Sequence, residues 1–139
     1  DRAEVRRILA DKDAGISVHE AAAKVVDGTA AELRQFLEVG LPNARIIDDR
    51  VKAAQFLSVG GPAVKAAAEK ALKSGSPEAV RKFLAEGQHT ARAEDDDRAE
   101  VRRILADKDA GISVHEAAAK VVDGTAAELR QFLEVGLPN

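Results

Sequence analysis

The chain contains one long repeat without a single substitution. Every residue from Asp1 to Asn43 recurs in the same order from Asp97 to Asn139, at an offset of 96 positions. Identical segments fold into identical units, and each unit then needs the same kind of neighbour to bury its apolar face. The sequence therefore predicts a tandem array of repeated supersecondary units.

A second, weaker period lies inside the identical one. Residues 14–45 align with residues 60–92, which places Phe36 on Phe83. The basic unit is therefore about 48 residues long, a length typical of HEAT and armadillo solenoids. We expect one continuous solenoid domain of three repeats, the first with a truncated first helix, over residues 1–40, 41–87 and 88–139.

The last helix of each unit has the clearest signals. Thr29-Ala-Ala-Glu32 is a capping box, in which the Thr hydroxyl and the Glu carboxylate accept hydrogen bonds from otherwise unpaired backbone N–H groups. Leu33, Phe36 and Leu37 follow at the spacing of one buried helix face. Gly40 is expected to end this helix in the left-handed conformation.

The middle helix repeats this pattern. Ser17-Val-His-Glu20 predicts a second capping box, and Gly28 marks the end of the helix. In the second unit Pro62 occupies the first helical turn, where its missing N–H costs nothing.

The first helix of each unit is longer, running from about Pro42 to Val59 in the second unit and from Thr90 to Asp107 in the third. The predicted fold class is therefore all-α, a right-handed α-solenoid of about three three-helix repeats, similar to HEAT and armadillo arrays and without strands.

The core must consist mainly of small and aliphatic side chains, because aromatic residues make up only 3% of the chain. Apolar residues at helical spacing supply the candidates. In the long helix of the second unit they include Val51 and Leu57, on one stripe with Ile47 and Ala54. The full predicted core is Val5, Leu9, Val18, Ala22, Leu33, Phe36, Leu37, Val51, Leu57, Val64, Leu72, Val80, Phe83, Leu84, Ile104, Leu105, Phe132 and Leu133.

A charged pair recurs at one position of each unit. It is Asp1-Arg2 in the first unit, and Asp49-Arg50 and Asp97-Arg98 in the later ones. A charged pair at a fixed position of a repeat is suited to bridging adjacent units, so Asp49, Arg50, Asp97 and Arg98 are predicted to form polar contacts between repeats. Exposed pairs contribute only about 0 to 1 kcal/mol, so such contacts would adjust the stacking geometry more than drive it.

Composition and motifs argue against several classes of function. A net charge of -3 provides no basic surface for nucleic acid, and no apolar run approaches the length of a membrane span. Cysteine is absent, and His19 is not part of an H-E-x-x-H zinc motif. We expect no catalytic residues, no cofactor and no metal site.

The acidic run from Glu94 to Asp97 has two interpretations. It is either a solvated stretch near a helix start or a patch that docks a protein partner.

The motifs together resemble a known family. An Asp-Arg pair in the first helix is followed by Val-x-x-Ala-Ala-x-x-Ala-Leu, as in Val64 to Leu72, and then by Val-Arg-x-Phe-Leu-x-x-Gly, as in Val80 to Gly87. This pattern resembles the ALF short repeats of actinobacterial proteins over essentially the whole chain. The first unit departs from it, with Val25-Val26 where Ala-Leu is usual and a longer loop before Gly15.

The resemblance implies a scaffold or spacer segment of a secreted repeat protein. Such repeats occur in polymorphic toxins and are similar to the ring scaffold of umbrella-shaped toxin particles. The expected partners are protein subunits, together with end-to-end self-stacking through repeats that lack polar capping units. The alternative is an engineered tandem-repeat module with no native partner, in which a designer made the copies identical.

Overall fold

The computed structural model describes residues 1–136, and their regular structure is entirely helical. Each of the three repeats contributes three α-helices. In chain order they are α1 (Arg2–Ala10), α2 (Ile16–Val25), α3 (Ala30–Gln35), α4 (Leu41–Val59), α5 (Pro62–Lys73), α6 (Pro77–Lys82), α7 (Gln88–Ala106), α8 (Ile112–Val121) and α9 (Ala126–Gln131). The all-α prediction is confirmed, and no strand occurs in residues 1–136. Residues 137–139, at the end of the predicted third repeat, lie outside the described part.

Each of the three repeats has one π-helical turn after its third helix, and the first two of these turns lead into the next repeat. The turns are Phe36–Gly40 and Phe83–Gly87, with a third at Phe132–Gly136. In the first turn the Leu41 N–H donates to the carbonyl of Phe36, five residues back. Gly40 has right-handed helical dihedral angles, so the prediction that it ends the helix was wrong. The chain therefore stays helical from Ala30 to Val59.

Contacts between units are made by the first helix of each repeat. Helix α4 packs against α2 and the first π-helical turn, and α7 packs against α5 and the second. The buried clusters follow the same order, because Leu41 and Ala44 of α4 complete the core of repeat 1 and Ala91 of α7 completes that of repeat 2. Each core thus lies within one unit and the first turns of the next helix, as expected for a repeat array in which neighbours stabilise one another.

Most of the predicted core residues lie inside. Nine are buried, namely Val5, Val18, Ala22, Leu33, Phe36, Val64, Val80, Phe83 and Phe132. Seven more are half-buried against the three clusters, namely Leu9, Leu37, Leu72, Leu84, Ile104, Leu105 and Leu133.

Val51 and Leu57 were wrongly predicted to be core. Val51 is 53% exposed and Leu57 is 39% exposed. Helix α4 instead buries Leu41, Ala44 and Asp48 against repeat 1 and Ala53 against its own repeat, and Val51 and Leu57 lie outside both contacts. The small side chains of Ala44 and Ala53 let the neighbouring helices approach closely.

The capping box at α3 is confirmed, and it has a consequence for titration. Thr29 N–H donates to Glu32 Oε1 at 2.9 Å, and Glu32 N–H donates to Thr29 Oγ1 at 3.2 Å. The backbone bond from Thr29, followed by its side-chain bond, lowers the pKa of Glu32 below its ordinary value of 4.5. Repeat 3 has the same box at Thr125 and Glu128, with the same direction of shift in the pKa of Glu128.

We therefore expect carboxyl carbon NMR titrations of Glu32 and Glu128 to give pKa values below 4.5 in the folded chain. The lowered pKa means that each ionised carboxylate stabilises the fold above the unfolded value, and that this contribution is lost as the pH falls through the folded value. A Glu32 pKa at or above 4.5 would contradict the capping geometry.

Candidate docking grooves and the joints between repeats

Each repeat has an open groove between its second and third helices. The groove of repeat 1 has a volume of about 720 Å³ and a floor formed by Ala21, Val25 and Phe36. The equivalent grooves have volumes of about 550 Å³ in repeat 2 and 630 Å³ in repeat 3. Their floors place Phe83 and Phe132 where Phe36 lies in the first. The same concave apolar surface is thus repeated once per unit.

The walls of these grooves carry charges of both signs. In repeat 1 they are Glu20, Lys24 and Glu32, and the identical residues recur in repeat 3 as Glu116, Lys120 and Glu128. Val39 lies at the edge of the first groove and is 45% exposed. An apolar floor between charged walls suits an amphipathic peptide segment better than a small polar substrate.

A buried carboxylate forms the polar contact between repeats 1 and 2. Asp48 of α4 is 8% exposed, and its two oxygens accept hydrogen bonds from Ser17 N–H at 2.9 Å and from Val18 N–H at 3.0 Å. These two groups belong to the first turn of α2, where backbone N–H groups have no partner within the helix. The negative charge also suits the positive end of the helix dipole.

This contact overturns the predicted capping box at Ser17. The residue that precedes α2 is Gly15, and no side chain of α2 caps its own helix. The cap comes from the next repeat.

Repeats 2 and 3 are joined in the same way. Asp95 of α7 accepts hydrogen bonds from Ala63 N–H at 2.8 Å and from Val64 N–H at 3.1 Å, in the first turn of α5. Pro62 precedes them and has no N–H to satisfy, which confirms its predicted position in the first turn. Asp95 is thus one member of the acidic run that has a structural role.

A glycine lies directly beneath each of the two carboxylates. A Cβ atom on Gly15 would lie 2.7 Å from Asp48 Cβ, and Cγ and Oδ2 of the same aspartate would be closer still. A Cβ on Gly61 would lie 2.5 Å from Asp95 Oδ2. Real Cβ contacts are not this short, so the aspartate reaches the helix only because the preceding residue has no side chain.

The recurring arginine acts inside its own repeat, so the predicted bridging role was wrong. Arg2 donates to the carbonyls of Val26 at 3.2 Å and Gly28 at 2.8 Å, at the C-terminal end of α2. Arg98 makes the equivalent bonds in repeat 3, to Val122 at 2.5 Å and Gly124 at 3.1 Å.

The other members of the charged pairs also act within a repeat or do not reach a neighbour. Arg50 donates to Leu72 at 3.5 Å, and Asp97 pairs with Arg130 of its own repeat at 3.1 Å. In the described part of the chain, Asp49 makes no hydrogen bond across the joint. The polar contact between repeats instead comes from the neighbouring residue, Asp48.

Two of the three histidines make the same structural contact. Nε2 of His19 lies 2.7 Å from the carbonyl oxygen of Asp11, and His115 makes the same contact with Asp107. Both close the loop between the first and second helices of a repeat. Within residues 1–136, no three His, Asp or Glu side chains group together as metal ligands would. No described helix combines the length and apolarity that crossing a membrane requires.

Sequence patterns missed several residues that complete the cores and joints. Besides Asp48 and Asp95, these are the buried residues Leu41, Ala44, Ala53, Ala68, Ala71, Ala91, Ala118 and Leu129. Leu129 could have been found, because it is the repeat equivalent of Leu33. The alanines carry little hydrophobic signal, and only the close approach of the helices marks them as core.

Comparison with protein families gives three consecutive matches to one model. The model is ALF, described as short repeats of unknown function, and it matches residues 2–44, 50–91 and 98–139. Each match begins at the recurring arginine, and the first two end at Ala44 and Ala91, the alanines of the next helix that complete the preceding core. A comparison with curated proteins finds no match.

Proposed function

The chain belongs to the ALF family of short repeats, and from this premise we propose that it is a non-catalytic scaffold or spacer segment that docks protein subunits. The observation that carries the proposal is the apolar groove that recurs once per repeat. A surface repeated at a fixed interval along an array suits a partner that is itself extended or present in several copies.

The shape of the array belongs to the same proposal. We take the three units to be successive turns of a right-handed α-solenoid of the HEAT and armadillo kind. The support is that each repeat contacts its neighbour through its first helix and that the cores follow one another along the chain.

The biological setting follows from the family resemblance. We propose that the parent protein is secreted by an actinobacterium and belongs with polymorphic or umbrella-type toxins, where arrays of this kind hold other subunits. The described residues offer grooves, caps and aliphatic cores for such a role, and we assign none of them a catalytic part.

The alternative of an engineered module rests on one observation, the identity of residues 1–43 and 97–139. Repeat 2 argues against it. Its groove keeps the phenylalanine floor but has Lys70, Lys82 and Glu86 on its walls, a divergence that a designer of identical units would normally have removed.

The test is affinity capture of secreted proteins from an actinobacterial culture supernatant with three matched baits. The wild-type chain should retain a discrete protein, and so should the variant Val59→Lys, which changes a residue that is 79% exposed and lines none of the three grooves. The double variant Val39→Lys/Val135→Lys charges the edges of two grooves and should retain several-fold less. Circular dichroism should give the same helicity for all three baits. Equal capture by the double variant and the wild type would refute docking in the grooves.

A further inference from the structure

The first turn of α8 has the same sequence as that of α2 but different surroundings. Three residues, which we call the repeat-3 seat, are each more exposed than their copies in repeat 1: Gly111, Ser113 and Val114, against Gly15, Ser17 and Val18. In repeat 1 the copies are less exposed because α4 packs over the first turn of α2. The same three residues are therefore covered by a helix of the next repeat in one copy of the unit.

Within the described part of the chain, the space above the repeat-3 seat is open at the place where Asp48 lies in repeat 1. A Cβ atom on Gly111 would meet no atom of residues 1–136 within 4 Å, whereas one on Gly15 would collide with Asp48. Within residues 1–136, no side chain accepts a hydrogen bond from the N–H of Ser113 or Val114. The sequence-identical groups in repeat 1 hold a carboxylate at 2.9 and 3.0 Å.

We infer that the repeat-3 seat is a binding site for the first helix of another ALF repeat, and that an aspartate of this helix, in the position of Asp48, caps α8. The inference rests on the proposed scaffold function and names the partner of one of its surfaces. The occupant is defined by an acidic residue that accepts the N–H groups of Ser113 and Val114. Towards its own N-terminus it carries a small residue in the position of Ala44, which packs into the core of the preceding repeat.

Charge and register both favour this occupant over an unrelated apolar helix. Two consecutive N–H groups at a helix N-terminus bind a carboxylate well and gain nothing from an aliphatic side chain. The second joint supports the same rule, because α7 brings Asp95 to the first turn of α5 although repeat 2 has diverged in sequence. The first turns of α2 and α5 are therefore each capped by an aspartate from the first helix of the next repeat.

The experiment titrates the ¹⁵N-labelled 139-residue chain with a peptide of residues 44–59, blocked at both ends. We expect the amide signals of Ser113 and Val114 to shift downfield as the peptide binds. Those of Ser17 and Val18, already bonded to Asp48, should stay in place. Removing the carboxylate from the peptide with Asp48→Ala should weaken binding by at least about tenfold, since hydrogen bonds to charged acceptors are the strong ones.

The matched control is the peptide variant Asp49→Ala. It removes the same charge from the adjacent residue, and it should bind within about twofold of the unchanged peptide. Equal weakening by the two variants would mean that net charge, and not the cap, drives binding, and it would overturn the inference. Binding that leaves Ser113 and Val114 unshifted would overturn it as well.

An isolated 16-residue helix is only marginally stable, so a second measurement covers the case of no detectable binding. The chain is extended after Asn139 by a copy of residues 44–96. Amide hydrogen exchange in the first turn of α8 is then compared with that in the first turn of α2. Slow exchange at Ser113 and Val114, matching that at Ser17 and Val18, supports the site; fast exchange in a folded extended chain refutes it. Neither result depends on the grooves, so failure of this inference and failure of the groove proposal are separate outcomes.

Discussion

Replacing Phe83 with alanine is expected to lower the free energy of unfolding by about 3 to 5 kcal/mol. Phe83 is 4% exposed and belongs to the buried cluster of repeat 2, together with Val80 and with Ala91 of the next repeat. Its ring also meets that of Phe56 edge to face, with the centroids 5.4 Å apart and an angle of 86° between the planes. Truncation leaves a cavity at the point where repeat 2 is closed by α7, so both the unit and its joint lose packing.

Two further variants make this prediction specific. Val59→Ala removes methyl groups from a side chain that is 79% exposed and should change stability by less than about 0.5 kcal/mol. Phe56→Ala, combined with Phe83→Ala in a double-mutant cycle, should give a coupling energy of about 0.5 to 1.5 kcal/mol for the aromatic pair. Urea denaturation of each variant gives the free energies of unfolding from which these differences are calculated. A Phe83→Ala variant with the stability of the wild type would show that repeat 2 has no such core.

The elements of each repeat could be predicted because their signals are local. The Thr29 capping box and the position of Pro62 depend on a few adjacent residues, and the structure has them where the sequence places them. The end of α3 could not be predicted in this way. Gly40 usually indicates a helix stop, but here the third helix of one repeat continues through a π-helical turn into the first helix of the next. This continuity depends on packing between units.

The joints were missed for a related reason. Alignment on the recurring Asp-Arg pair places Asp48 opposite Asp96, whereas the residue that caps α5 is Asp95. The aspartate is two residues before the arginine in α4 and three before it in α7, so a fixed register conceals the equivalence. The arginine forms hydrogen bonds within its own repeat, whereas the aspartate accepts them from the previous repeat. A search for one recurring Asp-Arg pair could therefore not identify the capping aspartates.

The joint itself can be measured with a pair of substitutions that the repeat makes possible. Gly15→Ala is expected to cost about 1 to 3 kcal/mol, because the new Cβ displaces the buried Asp48 carboxylate and breaks its two hydrogen bonds to α2. Gly111→Ala places the same methyl group in the same local sequence, where none of the described residues has an atom within 4 Å. Its cost should be limited to the intrinsic preference for glycine over alanine at a helix N-cap, below about 1 kcal/mol.

The difference between these two variants isolates the contact between repeats, since residues 1–43 and 97–139 are identical and local propensity cancels. Urea denaturation of both in the full chain gives this difference directly. Adding Asp48→Ala to Gly15→Ala should cost much less than the sum of the separate effects, because the methyl group then has no carboxylate to displace. Equal stabilities for Gly15→Ala and Gly111→Ala would mean that the carboxylate is not held against α2. The energy that joins repeat 1 to repeat 2 would then have to come from the apolar contacts of Leu41 and Ala44 alone.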